Sequence, residues 1–313
     1  MCLAIAMFAL AGCRQIFGLE PPATGDAAQA DAPASCSDNQ LSPGETDVDC
    51  GGICPACGTG ASCTQHSDCK TGVCAGTKCL LAKTCLEIRN AGQLTSGIYP
   101  IAPNAMTFDA YCDQTTEGGG WTLVMKLSSA SLALRFDAPQ WTTAATLFED
   151  DLDPNSAPQG RDAKLVAYNE VAGTEMRLRW LDPDHSFAYT PPSATTALGV
   201  FMGGEDLVVG KETDQCNGQL LSMSPSFLAN GMRHATGHQF YGVNGQDNAN
   251  GTNSHMRWGF GSNDEQTNPW LPHQGAGTDD TSLTWDSQTD CTECSCYGNE
   301  YVPSETSANM WIR

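Results

Sequence analysis

Residues 117–127 read EGGGWTLVMKL, and this stretch decides the fold of the chain. Three glycines in succession allow a tight turn, and the apolar, β-branched and aromatic residues after them favour a strand. Period-two alternation along that strand predicts that one face carries Trp121, Leu123, Met125 and Leu127. The glycines do not form a phosphate-binding loop, because no Lys-Ser or Lys-Thr pair follows and the chain continues into a strand.

The segments that precede this strand match it in order, spacing and residue type. They are residues 84–88 (TCLEI), 96–101 (SGIYPI) and 108–113 (FDAYCD). Together with GGGWTLV they resemble the opening of a fibrinogen-related domain. The resemblance implies an α+β domain over residues 83–313, with a central antiparallel sheet, a loop-rich C-terminal subdomain and a Cys85–Cys112 disulfide. The middle of this domain, roughly residues 128–240, matches the family much less well.

The end of the same family is recognisable in residues 256–265 (MRWGFGSNDE) and 308–313 (ANMWIR). The first of these segments is more similar to the intelectin side of the family than to fibrinogen. Intelectin-like domains bind glycans through a protein-held calcium ion, whose coordination two sugar hydroxyls complete. Since calcium takes six to eight hard oxygen ligands, a site with two open positions can accept such a diol.

The resemblance therefore implies a calcium-dependent, carbohydrate-binding function, with calcium as cofactor and a glycan as partner. Asn263 and Glu265 match the family's calcium segment, with Asp264 at a position where the family usually has Asn. Family members supply a His and a Glu further along, but the flanking Cys and His pattern is not reproduced here, and the stretch is acidic, Gly-rich and loop-like. The predicted further ligands are Asp279, Asp280 and Asp286. The predicted sugar-contacting aromatic residues are Tyr301, Trp285 and Trp270.

A second module precedes this domain. Eight cysteines lie between Cys36 and Cys79 in a segment with almost no large apolar residue, so disulfides must replace a core in residues 36–82. Eight cysteines allow 105 pairings, and the sequence does not choose among them. Cys54 and Cys57 could form a redox or zinc pair, but no second Cys-x-x-Cys pair follows, so a structural role is favoured. Residues 44–57 resemble cysteine-rich modules of secreted myxobacterial proteins, which implies a stalk or spacer.

Export is predicted from both the cysteines and the N-terminus. The chain has 16 cysteines, too many for a reducing cytosol, and three pairings are open to Cys216, Cys291, Cys294 and Cys296. Residues 1–10 are apolar and have the length of a signal-peptide core. Residues 10–13 (LAGC) resemble the lipobox of bacterial lipoproteins, which implies a signal peptide over 1–12, lipidation of Cys13 and a lipid anchor in a bacterial membrane. An ordinary cleaved signal is the alternative, and residues 13–35 are expected to be a flexible tether.

Charge and missing motifs exclude other functions. The formal net charge of −21 argues against nucleic acid as a partner, because phosphate binding needs clustered Lys and Arg. His234 and His238 have a metal-ligand spacing for a helix, but neighbouring glycines and the absent Glu argue against that interpretation. The acidic run 149–153 is interpreted as a solvated turn. We expect no enzyme; the alternative to a lectin is a structural or adhesive surface protein, and a homo-oligomer would give weak sugar binding avidity.

Overall fold

The computed structural model of the 313-residue chain describes most of it in separate segments. They are residues 36–156, 160–181, 186–203, 238–247, 254–263, 274–278, 281–284, 291–292, 295–296 and 307–313. The predicted signal peptide 1–12, lipidation site Cys13 and tether 13–35 lie outside these segments. No helix within the segments is both long enough and apolar enough to cross a membrane.

A seven-stranded antiparallel sheet occupies the centre of the larger domain. Its strands are β3 (Gly97–Ile101), β4 (Phe108–Asp113), β5 (Trp121–Ser128), β6 (Ala163–Lys164), β8 (Met176–Trp180), β9 (Ser186–Tyr189) and β17 (Ser307–Ile312). The strand order is β3-β4-β5-β17-β8-β9, and β6 pairs with β5. The strand from the far end of the sequence, β17, therefore lies between β5 and β8 and pairs with both.

A β-bulge interrupts the pairing of β5 with β17. Met310 is opposite Met125, and the next residue, Trp311, is opposite Leu123. Val124 is thus an extra residue on the β5 side of the ladder. An extra residue of this kind reverses which side chains of a strand point to a given face.

The bulge changes the faces that the sequence pattern predicts for β5. Before it, Trp121 and Leu123 pack with Trp311 on one face of the sheet. After it, the main core on the opposite face receives Val124, Met125 and Leu127. The prediction that four alternate residues share one face is therefore wrong beyond Leu123, because it assumed an unbroken pleat.

The main core is covered by short helices and loops. The helices of the described segments are α1 (Cys85–Asn90), α2 (Val166–Glu170) and α3 (Ala197–Met202), with 3₁₀ turns at His66–Asp68, Thr116–Gly118 and Pro139–Trp141. α1 begins at Thr84, whose hydroxyl accepts a hydrogen bond from the Glu87 N–H. Trp141 packs edge-on against Phe201 of α3 at a ring separation of 4.9 Å. The domain is sheet-rich with few helices, which agrees with the coarse α+β prediction.

A second sheet and three small hairpins complete the strands. The sheet consists of β11 (His238–Asp247), β12 (Ser254–Asn263), β13 (Gln274–Thr278) and β14 (Leu283–Thr284), paired in that order. Its buried Trp258, Ala276 and Leu283 join the main core. The hairpins pair β1 (Cys74–Ala75) with β2 (Lys78–Cys79), β7 (Ala172–Gly173) with β10 (Thr195–Thr196), and β15 (Cys291–Thr292) with β16 (Ser295–Cys296). His238 begins a strand and is therefore not on a helix. This excludes a metal-binding pair formed by His234 and His238 on one helix.

Disulfides hold the N-terminal module, which is rich in cysteine and poor in large apolar residues. The bonded pairs are Cys36–Cys54, Cys50–Cys57, Cys63–Cys74 and Cys69–Cys79. Cys54 and Cys57 have different partners, so they are not available as a dithiol or a zinc pair. A fifth disulfide, Cys85–Cys112, ties α1 to β4 in the following domain.

The module is in contact with that domain along its last residues. Val73 and Ala82 belong to the domain's main hydrophobic core, with 1% of each residue exposed. The Gln93 side-chain amide donates a hydrogen bond of 3.0 Å to the Gly72 carbonyl. The module is therefore docked on the domain through side chains, which a free spacer would not be.

Candidate functional site

The structure reaches the predicted calcium segment at Asn263. This residue ends β12 and is the Cα partner of His238, which begins β11. The remaining predicted calcium ligands lie outside the described residues: Asp264, Glu265, Asp279, Asp280 and Asp286. The predicted sugar contacts also lie outside them: Tyr301, Trp285 and Trp270.

Two groups of predicted ligands adjoin strands of the four-stranded sheet in the sequence. Residues 263–265 begin at the last residue of β12, and Asp279 and Asp280 follow β13. Thr278, which directly precedes Asp279, is opposite Met256 near the start of β12, whereas Asn263 ends that strand. At about 3.3 Å per residue, the strand from Met256 to Asn263 spans roughly 23 Å. The Thr278 N–H donates to the Thr281 carbonyl at 3.0 Å, so the chain returns into β14 at the same end of the sheet. The ends of β12 that flank the two groups are therefore far apart.

The face of the central sheet away from the main core carries a charged and aromatic group, here called the Arg177 cluster. Its members are Asp113, Glu117, Trp121, Arg177, Trp311 and Arg313. Alternation along β8 places Arg177 on this face, between Met176 and Leu178, which both point into the main core. The Arg177 side chain is 1% exposed, and its guanidinium lies 3.5 Å from the Asp113 carboxylate and 3.4 Å from that of Glu117.

Two indole rings cover the guanidinium groups of the cluster. The Arg177 guanidinium carbon lies 4.6 Å from the Trp121 ring centroid and 5.6 Å from that of Trp311. The Arg313 guanidinium lies 4.3 Å from the Trp121 centroid, so this ring contacts two cations. Cation–π contacts of this kind gain strength when the cation is removed from water, as Arg177 is here.

Burial and hydrogen bonds shift the pKa of the Asp113 carboxyl, which pairs with Arg177, in opposite directions. Burial alone would raise the pKa of Asp113, but hydrogen bonds from Thr116 and Thr115 lower it to about 2. Burial lowers the pKa of Arg177, and Glu117 and Asp113 oppose that shift. The Asp113 carboxyl is therefore ionised under ordinary conditions and compensates the buried guanidinium.

The Arg177 cluster stabilises the sheet and contains hydrogen-bond donors that have no acceptor among the described residues. Arg177 Nε and the indole N–H groups of Trp121 and Trp311 are buried and have no hydrogen-bond partner in the described part of the chain. Arg313 also donates to the carbonyls of Glu117 and Gly119. These contacts join the turn before β5 to β8 and β17, and so stabilise the centre of the sheet.

The acidic run 149–153 differs from its interpretation as a solvated turn. Asp151 is only 13% exposed in its side chain and lies 2.6 Å from the buried ammonium of Lys126 and 2.9 Å from Arg161. Its carboxylate is therefore part of an internal ion-pair network. The interpretation failed because Lys126 precedes the run by more than 20 residues, and only the sheet brings the two together.

Sequence reasoning also missed Arg177, Lys126 and their partners. A signal was available for both: each is a charged residue within a strand of large apolar residues, MRLRW at 176–180 and WTLVMKLS at 121–128. Because charged residues are rarely fully buried unless paired, such positions indicate internal ion pairs. The partners themselves could not have been chosen, since Asp113 ends a strand remote in sequence and Asp151 lies in a loop with several acidic residues.

A known family model matches the first part of the larger domain. Residues 81–148 match the family model for the fibrinogen beta and gamma chains, C-terminal globular domain. The match begins with the residues just before α1 and ends after β5. This part of the chain is therefore fibrinogen C-terminal-like, in agreement with the resemblance of residues 84–124.

Two curated relatives share the same kind of segment. Mouse (Mus musculus) angiopoietin-4 is 42% identical over 50 residues, which is 15% of this chain and 10% of the relative. Dog (Canis lupus familiaris) angiopoietin-2 is 36% identical over 55 residues, which is 17% of this chain and 11% of the relative. The chain thus spans about a tenth of the length of these relatives.

Among solved structures, the fibrinogen-like globe domain of human ANGPTL6 is similar to part of the chain. The superposition covers 34% of this chain and 46% of that one, with 22% sequence identity and a TM-score of 0.25.

Proposed function

We propose that the protein is a surface recognition protein that binds carbohydrate through a calcium ion held near Asn263, Asp264 and Glu265. The observation that carries the recognition role is the match of residues 81–148 to the fibrinogen C-terminal domain. The five described disulfides support an oxidising location, such as a cell exterior. The calcium and the carbohydrate rest on the resemblance of residues 256–265.

The end of β12 is a suitable place for such a site. Backbone and side-chain oxygens that follow the end of a strand can converge on one ion, and the sequence there supplies Asn, Asp and Glu in succession. Asp279 and Asp280 follow Thr278 at the other end of β12, so we assign the primary site to residues 263–265. A second ion near Asp279 and Asp280 is a separate hypothesis. Asp286 follows β14, which runs from the Thr278 end of the sheet toward the Asn263 end.

The proposed location follows from the N-terminal sequence. Acylation of Cys13 after removal of residues 1–12 would anchor the chain in a bacterial membrane, at the outer membrane or cell surface. Residues 13–35 would then separate the disulfide module from the lipid. Mass spectrometry of the membrane fraction tests this proposal, and an unmodified Cys13 would contradict it.

The lectin proposal predicts calcium-dependent retention on carbohydrate resin. Protein applied in calcium should be retained, and it should be released by EDTA or by free sugar. Retention requires that sugar hydroxyls complete the coordination of a bound ion, so removal of the ion should remove the binding. The measurement is the bound fraction with and without EDTA.

Variants of the proposed ligands test the position of the calcium site. Asn263→Ala and Glu265→Gln should each weaken calcium affinity at least about tenfold, because each loses one oxygen ligand or its charge. Asp137→Asn is the matched surface control, since the exposed Arg135 is its ion-pair partner in the part of the chain that the structure describes. If EDTA changes neither retention nor melting temperature, the protein is an adhesive or structural surface protein without a calcium site.

A further inference from the structure

The loop of residues 151–156 (DLDPNS) surrounds the ammonium group of Lys126. Lys126 lies on β5, and its side chain is fully buried. Its Nζ lies 2.6 Å from Asp151 Oδ1 and 3.0 Å from the Asp153 carbonyl, and it also donates to the Ser156 hydroxyl. Three oxygens from one six-residue loop therefore converge on a single positive charge.

The loop has the chemistry of a site for a hard cation. Asp151 offers its carboxylate, Asp153 its backbone carbonyl and Ser156 its hydroxyl to the same point. Asp153 contributes its carbonyl to Lys126, while its carboxylate accepts from the Asn155 N–H at 2.9 Å and shapes the turn. A carboxylate, a carbonyl and a hydroxyl are the oxygen types that calcium selects.

A buried amide below the loop gives a second, independent observation. Asn309 on β17 is 1% exposed, and its Nδ2 donates to the Pro154 carbonyl at 2.8 Å. Its Oδ1, in the same amide group beneath the loop, is buried and has no hydrogen-bond partner among the described residues. Asn309 is the Cα partner of Lys126 across β17 and β5, so its side chain lies on the same face of the sheet as the ammonium. An unpaired buried acceptor on this face suits a cation, since an unpaired buried polar atom is otherwise costly.

The local charges explain why the ammonium occupies this place. Asp151 pairs with both Lys126 and Arg161, so its charge is fully compensated. Without the Lys126 charge, Arg161 would be the one cation left to pair with Asp151 among the described residues. The loop would then carry excess negative charge around three converging oxygens.

We propose that residues 151–156 form a cation-binding loop whose resident cation is the Lys126 ammonium, and that calcium takes this place when the ammonium is removed. The native protein then holds this loop against the sheet without a metal ion. This site is independent of the proposed calcium site at residues 263–265, which begins at the last residue of β12, in a different sheet.

The test counts calcium ions per chain by equilibrium dialysis, in a background that carries Asn263→Ala and Glu265→Ala. Lys126→Ala and Lys126→Met should each bind one more calcium ion than the background protein. Saturating calcium should raise the melting temperature of both by at least about 3 °C above its effect on the background protein. Adding Asp151→Asn to either variant should abolish both the extra ion and the shift.

The matched control is Lys164→Met. Lys164 is as deeply buried as Lys126, but its ammonium contacts the carbonyls of Thr143 and Ala145 and the ring of Tyr168, and no carboxylate of the described segments pairs with it. Removing it should add no calcium ion, because the remaining site lacks an anionic ligand.

The proposal fails if the two Lys126 variants bind no more calcium than the background protein. It also fails if they remain unfolded by circular dichroism at every calcium concentration, because calcium then does not replace the ammonium. Variants that fold only in calcium would support it. An extra ion that survives Asp151→Asn would place the metal elsewhere and would overturn the assignment.

Discussion

Arg177, Lys126 and Lys164 are three basic residues that the sheet buries almost completely, and each is stabilised in a different way. Arg177 has two carboxylates and two indole rings, Lys126 has a carboxylate within an oxygen cage, and Lys164 has backbone carbonyls. Because burying a charge without partners is very costly, each of these contacts is necessary for the fold. The effect of a substitution should therefore depend on what partners remain.

Arg177→Met should destabilise the domain by about 3 kcal/mol, because it leaves the Asp113 carboxylate buried without its cation. Urea unfolding monitored by tryptophan fluorescence gives the free energy. The matched control is Arg135→Met, since Arg135 is half-exposed and pairs with the exposed Asp137; it should change stability by less than about 0.5 kcal/mol. Equal effects of the two variants would contradict the structural role of the Arg177 cluster.

Lys164 should make stability depend on alkaline pH. Burial lowers the pKa of Lys164 from 10.5 to about 8, so the folded chain releases this proton before the unfolded chain does. Below pH 8 both states hold the proton, and its contribution is constant. Between pH 8 and 10.5 only the unfolded state holds it, so this group's contribution to stability rises with pH.

The measurement is the unfolding free energy of the native protein and of Lys164→Met over that range. The difference between the two should change in favour of the native protein as pH rises. A difference that stays constant from pH 8 to 10.5 would show that Lys164 does not titrate in this way.

Among the elements, the turn before β5 has a backbone that restricts substitution. Gly118, Gly119 and Gly120 all have positive φ values, of 87°, 67° and 81°. A Cβ on Gly119 would overlap the carbonyl of Gln114 as well. The turn therefore needs glycine for two reasons at this position, conformation and space.

Gly119→Ala should consequently cost more stability than a substitution that meets only the conformational penalty. The matched control is Gly60→Ala, because Gly60 has a φ of 84° and open space around the position of a Cβ. We expect about 1 kcal/mol for Gly60→Ala and at least about 3 kcal/mol for Gly119→Ala. Thermal unfolding of both variants checks this, and similar melting temperatures would refute the steric argument.

The same turn and the strand after it show how much of the fold can be predicted from the sequence. The glycine turn, the strand after it and the preceding strands could be predicted, because local propensity and spacing determine them. The bulge at Val124 could not, since it exists only through pairing with β17, which is remote in sequence. The pairing of the module's eight cysteines was likewise open, because residue spacing does not determine which cysteines meet in space.

For the candidate site, the sequence identified residue types but not their arrangement. Asn263 was predicted from the resemblance, and the structure adds that it ends β12. That Thr278 lies toward the other end of this strand required the register of β12 with β13. The ion pairs of Lys126 and Asp151 depend on a long-range contact that no local pattern contains.

At the scale of the whole molecule, the disulfide module and the larger domain share a hydrophobic core through Val73 and Ala82. Val73→Ala should therefore destabilise the larger domain by about 1 to 2 kcal/mol, although the residue belongs to the module. All seven tryptophans lie after residue 120, so their fluorescence reports on the larger domain alone. Urea unfolding followed by this signal measures the effect.

Ile53→Ala is the control for this prediction. Ile53 lies in the same module but is 71% exposed, so its truncation should change stability by less than about 0.5 kcal/mol. If Val73→Ala leaves the tryptophan transition unchanged, the module does not contribute to the domain's core in solution.

The position of β17 constrains the order in which the polypeptide can fold. β5 and β8 are synthesised long before Ser307–Ile312, yet in the sheet each pairs with that strand and not with the other. Until it arrives, a nascent chain must carry two incomplete ladders with unpaired amides, which are prone to associate with other chains. Chaperones that keep the chain extended until its translation is finished would therefore raise the yield of native protein.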